Sequence, residues 1–197
     1  MKTKRIAFLG GGNMAEAIIG GLLAGGVSME RNVAAADVSA ERRALLAEKY
    51  GIGTPETGAE AVRGADVVVL AVKPQQAAEA LAAAREAFTD RQLLVSICAG
   101  LPTAALDKQV PVRTVRAMPN LPALVRRGVT AVCAGARATA ADLDLAEELF
   151  AAVGVTVRLP ESQMNEVTAL SGSGPGYVFA FIEAMEEAAV EMGLPPG

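Results

Sequence analysis

The 197-residue chain contains no histidine. That absence removes the side chain that most often carries protons near neutral pH. With no CxxC pair either, it leaves no residue set suited to a zinc site. Cysteine is scarce: Cys98 and Cys133 each sit inside an apolar, strand-like run, where a small buried side chain is expected rather than a disulfide. Neither sign of charge dominates. Lys and Arg number 18 and Asp and Glu 22, interspersed along the chain for a formal net charge of -4, so the electrostatic footprint of a DNA- or RNA-binding surface is missing. Long hydrophobic runs are missing too. The basic start, Met1-Lys2-Thr3-Lys4-Arg5, imitates a signal peptide, but glycines and Glu16 interrupt the apolar run behind it. No stretch reaches the roughly 20 apolar residues of a membrane span. A cytoplasmic protein is expected, with no metal, no nucleic-acid partner and no membrane anchor.

What the chain has is 52% hydrophobic residues, enough for one full core and a second, smaller unit. Strand-like and helical segments alternate. Arg5 to Leu9, Asn32 to Asp37, Ala65 to Val72, Leu93 to Ala99, Val112 to Ala117, Val129 to Ala134 and Val155 to Leu159 read as strands. Asn13 to Ala24, Ala40 to Tyr50, Gln75 to Ala87, Thr103 to Lys108 and Ala140 to Val153 read as helices. The β-branched run at 65 to 72 suits a strand buried on both faces. This order predicts an α/β fold of Rossmann type, a doubly wound and mostly parallel sheet over residues 1–160. After Pro160 the alternation stops. Ser162 to Leu170 is helical in spacing, "SGSGPG" punctuates it, and Tyr177 to Met192 forms a long helix before a terminal loop at 193–197. Residues 161–197 therefore read as the start of a helical domain. Val178, Phe181, Ile182, Met185, Ala189 and Met192 share one face of the long helix, and Ala180, Ala184 and Ala188 form a second smooth stripe. A helix this apolar is expected to dock on a partner.

Gly10-Gly11-Gly12-Asn13-Met14-Ala15 fits G-x-G-x-x-A between a strand and an amphipathic helix, the dinucleotide-binding pattern. Gly10 makes the tight turn and Gly12 lets the backbone approach a pyrophosphate. The helix beginning near Asn13 adds unpaired N–H groups and its positive end, and Ala15 allows close helix–strand packing. Asp37 follows about 20 residues on, at the end of the second strand, where an acid accepts from ribose hydroxyls. An acid there favours NAD and repels a 2′-phosphate. Arg42 and Arg43 come shortly afterwards, either as a neutralising guanidinium for that phosphate or as part of a solvated helix face. Two more stretches fall at strand ends, where open α/β sheets place ligands: Ala71-Val72-Lys73-Pro74 and Ser96 to Gly100. Lys73 reads equally as a phosphate or ribose contact and as a solvated strand-end residue.

At "VRAMPNLPALVRRG" (115–128) and "ALSGSGPGYVFAFIEAM" (169–185) the chain resembles the pyrroline-5-carboxylate reductase family. The resemblance extends from "GGGNMAEAIIGGL" through "AVKPQ" and "SICAGL" to the last residues. Gly176 stands where the family more often has Ala. The resemblance implies a Rossmann domain followed by a helical dimerisation domain, a homo-oligomer, and reduction of a cyclic imine to L-proline with NADPH or NADH, NADPH being favoured. By the same correspondence Gly10, Gly12, Asn13, Met14 and Ala15 hold the pyrophosphate, and Ala71 to Pro74 line the adenosine side. Ala99 and Gly100 lie near the nicotinamide, and Pro119 and Asn120 form a turn that can hold its carboxamide. Family members continue past the position matching Gly197 with further helices that help bind the substrate carboxylate, so the sequence reads as a truncated member.

An imine substrate suits a chain without histidine. Its C=N nitrogen is basic enough to arrive protonated, so orientation and exclusion of water are the main requirements. A carboxylate site is expected at Ser171 to Pro175, with Ser173 or Gly174 as N-cap, Pro175 at the first helical position and free N–H groups pointing outward. Glu166 and Thr168, just before it, are candidates to face the ring nitrogen. Two other readings stay open. One is a chain that binds cofactor without turnover. The other is a 3-hydroxyacid dehydrogenase, which would need a lysine in the helix after the Rossmann domain, and residues 164 to 192 contain none.

Overall fold

The uninterrupted apolar runs become the middle of a single sheet. In the computed structural model, which describes residues 1–195, β1 (Ile6–Leu9), β3 (Val67–Leu70) and β4 (Leu93–Ser96) are buried at every position. Strands covered by helices on both faces read this way. With β2 (Val33–Ala36), β5 (Arg113–Met118), β6 (Gly128–Ala134) and β7 (Gly154–Arg158) they form a seven-stranded sheet in the order β2-β1-β3-β4-β5-β6-β7. Every neighbouring pair is parallel except β5 and β6. Residues 119–127 between those two strands are fewer than the dozen or so that a parallel crossover needs. Alternate β1 residues serve opposite faces. Phe8 packs with Ile18, Leu22 and Phe150, and Leu9 with Leu70, Leu81 and Leu106.

The helices α1 (Asn13–Ala24) and α2 (Ala40–Tyr50) have the bounds expected from sequence. In α2 both ends are chemically marked: Ser39 Oγ accepts from the Arg42 N–H, and Gly51 closes the other end at φ 65°. Further along come α4 (Ala77–Ala84), flanked by 3₁₀ turns at Pro74–Gln76 and Arg85–Ala87, then α5 (Thr103–Gln109) and α6 (Ala140–Ala151). Some elements were not legible in the spacing, among them a 3₁₀ turn at Glu30–Asn32 just before β2 and the two that follow. One is the short α3 (Gly58–Val62), started by a capping box between Thr57 and Glu60. The other is a 3₁₀ turn at Leu121–Val125 that ends on Arg126 in the left-handed region.

Beyond β7 the chain is helical almost without pause. A 3₁₀ turn at Glu161–Gln163 leads into α7 (Met164–Val167), a π turn at Thr168–Gly172 and α8 (Gly174–Glu191). "SGSGPG" is therefore not the break expected of it. The Ser173 N–H bonds Thr168 O at 2.9 Å, five residues back, and this wide turn, which includes Gly172, leads through Ser173 into α8, whose first turn holds Gly174, Pro175 and Gly176. A helix does start there, at Gly174 with Ser173 before it and Pro175 in its first turn. What is corrected is the cap, since Ser173 has helical backbone angles and makes no side-chain cap, and the N–H groups of Ser173, Gly176 and Tyr177 are bonded within the segment rather than free. The apolar residues of α8 do lie open, Phe181 at 66% and Met185 at 59% exposure, and none of its residues is buried. The terminal loop expected at 193–197 extends over residues 196–197, which lie outside the described residues.

Both cysteines are buried free thiols, as expected. Burial is the largest influence on each and raises both, Cys133 to about 11. At pH 8 a thiol-exchange reagent should therefore titrate neither in the folded protein and both once denaturant is added. Rapid reaction without denaturant would contradict this packing.

Candidate functional site

At the carboxyl edge of the sheet β1, β2 and β3 end side by side, and a cleft of about 420 Å³ opens there between Gly10, Gly12, Asp37, Val38, Ala71 and Lys73, among others. The three glycines at its floor have three different reasons. Gly10 has φ +97°, and a Cβ there would come within 2.7 Å of Ala71 O. Gly11 is buried, and its Cβ would meet Leu46 Cδ1 at 2.8 Å. Gly12 has ordinary extended backbone, and a Cβ would meet nothing within 4 Å: it would project into free space. No side chain caps α1 at Gly12, so the first-turn N–H groups of Asn13 and Met14 lack intrahelical acceptors beside the cleft. Ala15, 1% exposed, lets helix and strand pack closely. A polyanion fits this arrangement: open space in front of a helix N-terminus, bounded by backbone that a side chain would fill.

Asp37 faces the loop as well as the cleft. Its Oδ2 accepts from Gly11 N at 2.8 Å and its Oδ1 from Ser39 N at 2.9 Å. Arg43 donates to Asp37 O at 2.8 Å and lies 3.9 Å from Glu56. Arg42 turns the other way. Its Nε donates to Gly11 O and its Nη2 to the Glu16 carboxylate, so it is neither a solvated helix-face residue nor directed at the cleft. Glu16 also accepts from Lys49 at 2.7 Å and from Tyr50 at 3.2 Å. The Lys49 hydrogen bond first, and Arg42 after it, hold its carboxyl below the usual carboxylate range. Sequence reading missed the roles of Gly11, Glu16 and Arg42. A signal was available in an acid in the first turn of α1 and an arginine in the first turn of α2, two elements that a βαβ unit sets side by side. Lys73 is exposed at the rim, just before Pro74.

The other strand ends carry the remaining candidates. Ala99 and Gly100, the latter at φ +72°, follow β4. Pro119 is buried after β5, and Asn120 bridges two parts of the chain. Its Oδ1 accepts from Val129 N at 2.9 Å and its Nδ2 donates to Ser171 Oγ at 3.3 Å. The sheet thus touches the π turn through Asn120. On that turn Thr168 Oγ1 donates to Met164 O at 2.7 Å and Ser173 Oγ to Thr168 O at 3.3 Å, so both hydroxyls bond within the helical segment. Glu166 is exposed on α7. One polar cluster had no sequence signal. Arg116 on β5, 3% exposed, donates to Asn165 at 3.1 Å and lies 3.7 Å from Glu161, which accepts from Thr103 N and Oγ1 at 2.6 and 2.7 Å. It fastens the start of the helical segment to the sheet. Among the described residues no helix is long and apolar enough to cross a membrane.

A family model described as NADP oxidoreductase, coenzyme F420-dependent, matches residues 5–100, and one described as pyrroline-5-carboxylate reductase dimerisation matches 161–197. A pyrroline-5-carboxylate reductase of Pseudomonas aeruginosa is 46% identical over 98% of this chain and 72% of its own length. One from Methanosarcina acetivorans is 38% identical over 98% and 73%. Among solved structures, a pyrroline-5-carboxylate reductase from Coxiella burnetii superposes with a TM-score of 0.87 at 36% identity, covering 99% of this chain and 73% of that one. The Plasmodium falciparum pyrroline carboxylate reductase with NADP bound gives 0.89 at 29% identity, over 100% and 72%. A prephenate dehydrogenase from A. aeolicus, at 15% identity, 0.75, and coverage of 99% and 72%, shares the fold alone. With the glycine loop, the bridged π turn and the exposed terminal helix all lying within these matches, the chain belongs to the pyrroline-5-carboxylate reductase family.

Proposed function

We propose that this chain reduces 1-pyrroline-5-carboxylate to L-proline with NADPH or NADH, through a dinucleotide-binding domain of residues 1–160 and a helical domain beginning at 161. What carries the reading is that 46% identity to a relative named for this reduction spans 98% of the chain, both the glycine loop and the 168–173 turn included. When bound, the reduced nicotinamide supplies a hydride to the carbon of the protonated C=N bond. The chain's own residues hold and orient. N–H groups of Asn13 and Met14 take the pyrophosphate at the positive end of α1. Asp37 keeps acceptor capacity for ribose hydroxyls. Ala71, Val72, Lys73 and Pro74 line the adenosine side, and Ala99, Gly100, Pro119 and Asn120 the nicotinamide end.

On the substrate side, Ser171 Oγ already accepts from Asn120, which leaves its O–H to donate to a carboxylate. Thr168 and Ser173 set the shape of the turn beneath it, and Glu166 stands exposed near by. Rate then comes from orientation and exclusion of water rather than from an imidazole proton carrier. Two copies meet through α8, whose apolar face is open and which lies within the match described as dimerisation. The reading places the reaction in the cytoplasm. The test mixes the chain with 1-pyrroline-5-carboxylate and NADPH, then NADH, and follows reduced-nicotinamide absorbance. A fall that requires the imine, with L-proline recovered, is expected. No fall in a sample where dinucleotide binding has been measured would overturn the reading in favour of binding without turnover.

A further inference from the structure

The backbone of Gly11 is held on both sides, at the two peptide groups that flank it: Asp37 Oδ2 takes its N–H at 2.8 Å and Arg42 Nε donates to its carbonyl. The grip is close because Gly11 has no Cβ, which would sit 2.8 Å from Leu46 Cδ1. From there Arg42 continues to Glu16, one turn into the helix that the loop feeds, and Lys49 and Tyr50 anchor Glu16 in turn. The end of β2, α1 and α2 are thereby tied to the one residue that separates Gly10 from Gly12.

We propose that Arg42 is a positioning residue for the dinucleotide: it fixes the Gly10–Gly12 backbone in the shape that receives the pyrophosphate, and it is not the ligand of a 2′-phosphate. This rests on the reading of the cleft as a dinucleotide site. Three successive glycines form the most pliable backbone the chain can build, and an unheld loop must be ordered at the moment of binding. Arg42 supplies that order beforehand. Its side chain is 20% exposed, and both its Nε and its Nη2 are engaged behind the loop. Turning these donors to a phosphate in the cleft would require it to leave Gly11 and Glu16. The consequence is even-handed, because NADH and NADPH share the pyrophosphate that the loop meets.

The test is calorimetric titration of the full chain with NADH and with NADPH, alongside steady-state kinetics. Arg42→Met is expected to weaken both dinucleotides by the same factor, roughly tenfold, through lost preorganisation. The ratio of the two affinities and kcat at saturation stay unchanged, while KM for each dinucleotide rises. Arg42→Lys should recover part of the loss, since an ammonium still donates to Gly11 O. Glu16→Gln, nearly isosteric and safe for folding, should show a smaller loss of the same even kind. Arg158→Met, which removes two ion pairs, to Asp144 and Glu147, on β7 far along the sheet, should move neither affinity. Selective loss of NADPH in Arg42→Met would make Arg42 the phosphate ligand and overturn the proposal, as would unchanged affinity for both. If the parent chain binds neither dinucleotide, the reading of the cleft itself fails and the proposal falls with it.

Discussion

Replacing Gly12 with aspartate is expected to leave the fold at least as stable as before while lowering dinucleotide affinity about a hundredfold, or about 2.7 kcal/mol. The two effects have opposite signs because Gly12 serves two purposes. As the N-cap of α1 it has φ -64° and ψ -178°, which any residue adopts, and a Cβ there touches nothing within 4 Å. Aspartate is the better cap. Its carboxylate accepts from the N–H of Met14 or Ala15, for a gain of a few tenths of a kcal/mol. The Met14 N–H, and the same space, are what a pyrophosphate needs, and a fixed negative charge there meets the ligand's own. Gly12→Ala separates the contributions: it adds the steric part without the charge and should bind about tenfold more weakly than the parent. Thermal melts without ligand and calorimetric titration with NADH read the two quantities independently. A Gly12→Asp protein that melted normally and still bound tightly would mean that the loop is not where the phosphates sit.

The glycine loop shows how far the sequence carries. Periodicity placed α1 and α2 to the residue, because Asn13 follows a glycine at a strand end and Ser39 and Gly51 mark the ends of α2 chemically. The mostly parallel sheet and the place of the cleft followed from the alternation of elements, since a parallel sheet of this kind puts its ligand site at the carboxyl edge. The partners of the loop were not legible. A pair of arginines after a capped helix start reads the same whether they face solvent, a phosphate or the back of the loop, and only the crossing of α2 over α1 brings Arg42 to Gly11 and Glu16. Asn120 was read as a turn residue or a cofactor contact, and it is a bridge to Ser171, a residue 51 positions away. "SGSGPG" misled for a local reason: glycine and proline usually break helices, and nothing in their spacing announces a π turn that ends on Gly172 and runs almost directly into the helix opened by Gly174 and Pro175. The open face of α8 was legible because its apolar residues have no strand left to cover.

The buried cluster at the start of the helical segment carries the largest stability effect. Glu161→Ala is expected to destabilise the protein by about 3 kcal/mol, in the range found when one partner of a buried charged pair is removed. Two losses add. Arg116, 3% exposed in the middle of β5, keeps its hydrogen bond to Asn165 and loses the only carboxylate beside it among the described residues. Thr103, 4% exposed, loses the acceptor of both its N–H and its hydroxyl. Removing the other member should do less harm: Arg116→Met takes away the buried charge itself and leaves Glu161, whose side chain is 33% exposed, bonded to Thr103 and reached by water. The asymmetry is the point of the experiment, because a pair that merely sat side by side would lose the same amount from either end. Urea midpoints at unchanged slope measure it, with Glu161→Gln falling between the two. The loss should also reach the site. Glu161 fastens the chain just ahead of α7 and the π turn, so in Glu161→Ala the contact between Asn120 and Ser171 loosens, and KM for the imine should rise more than KM for the dinucleotide. Equal and small effects from Glu161→Ala and Arg116→Met would show that packing around Met164, buried at 0% exposure, holds the segment without the ion pair.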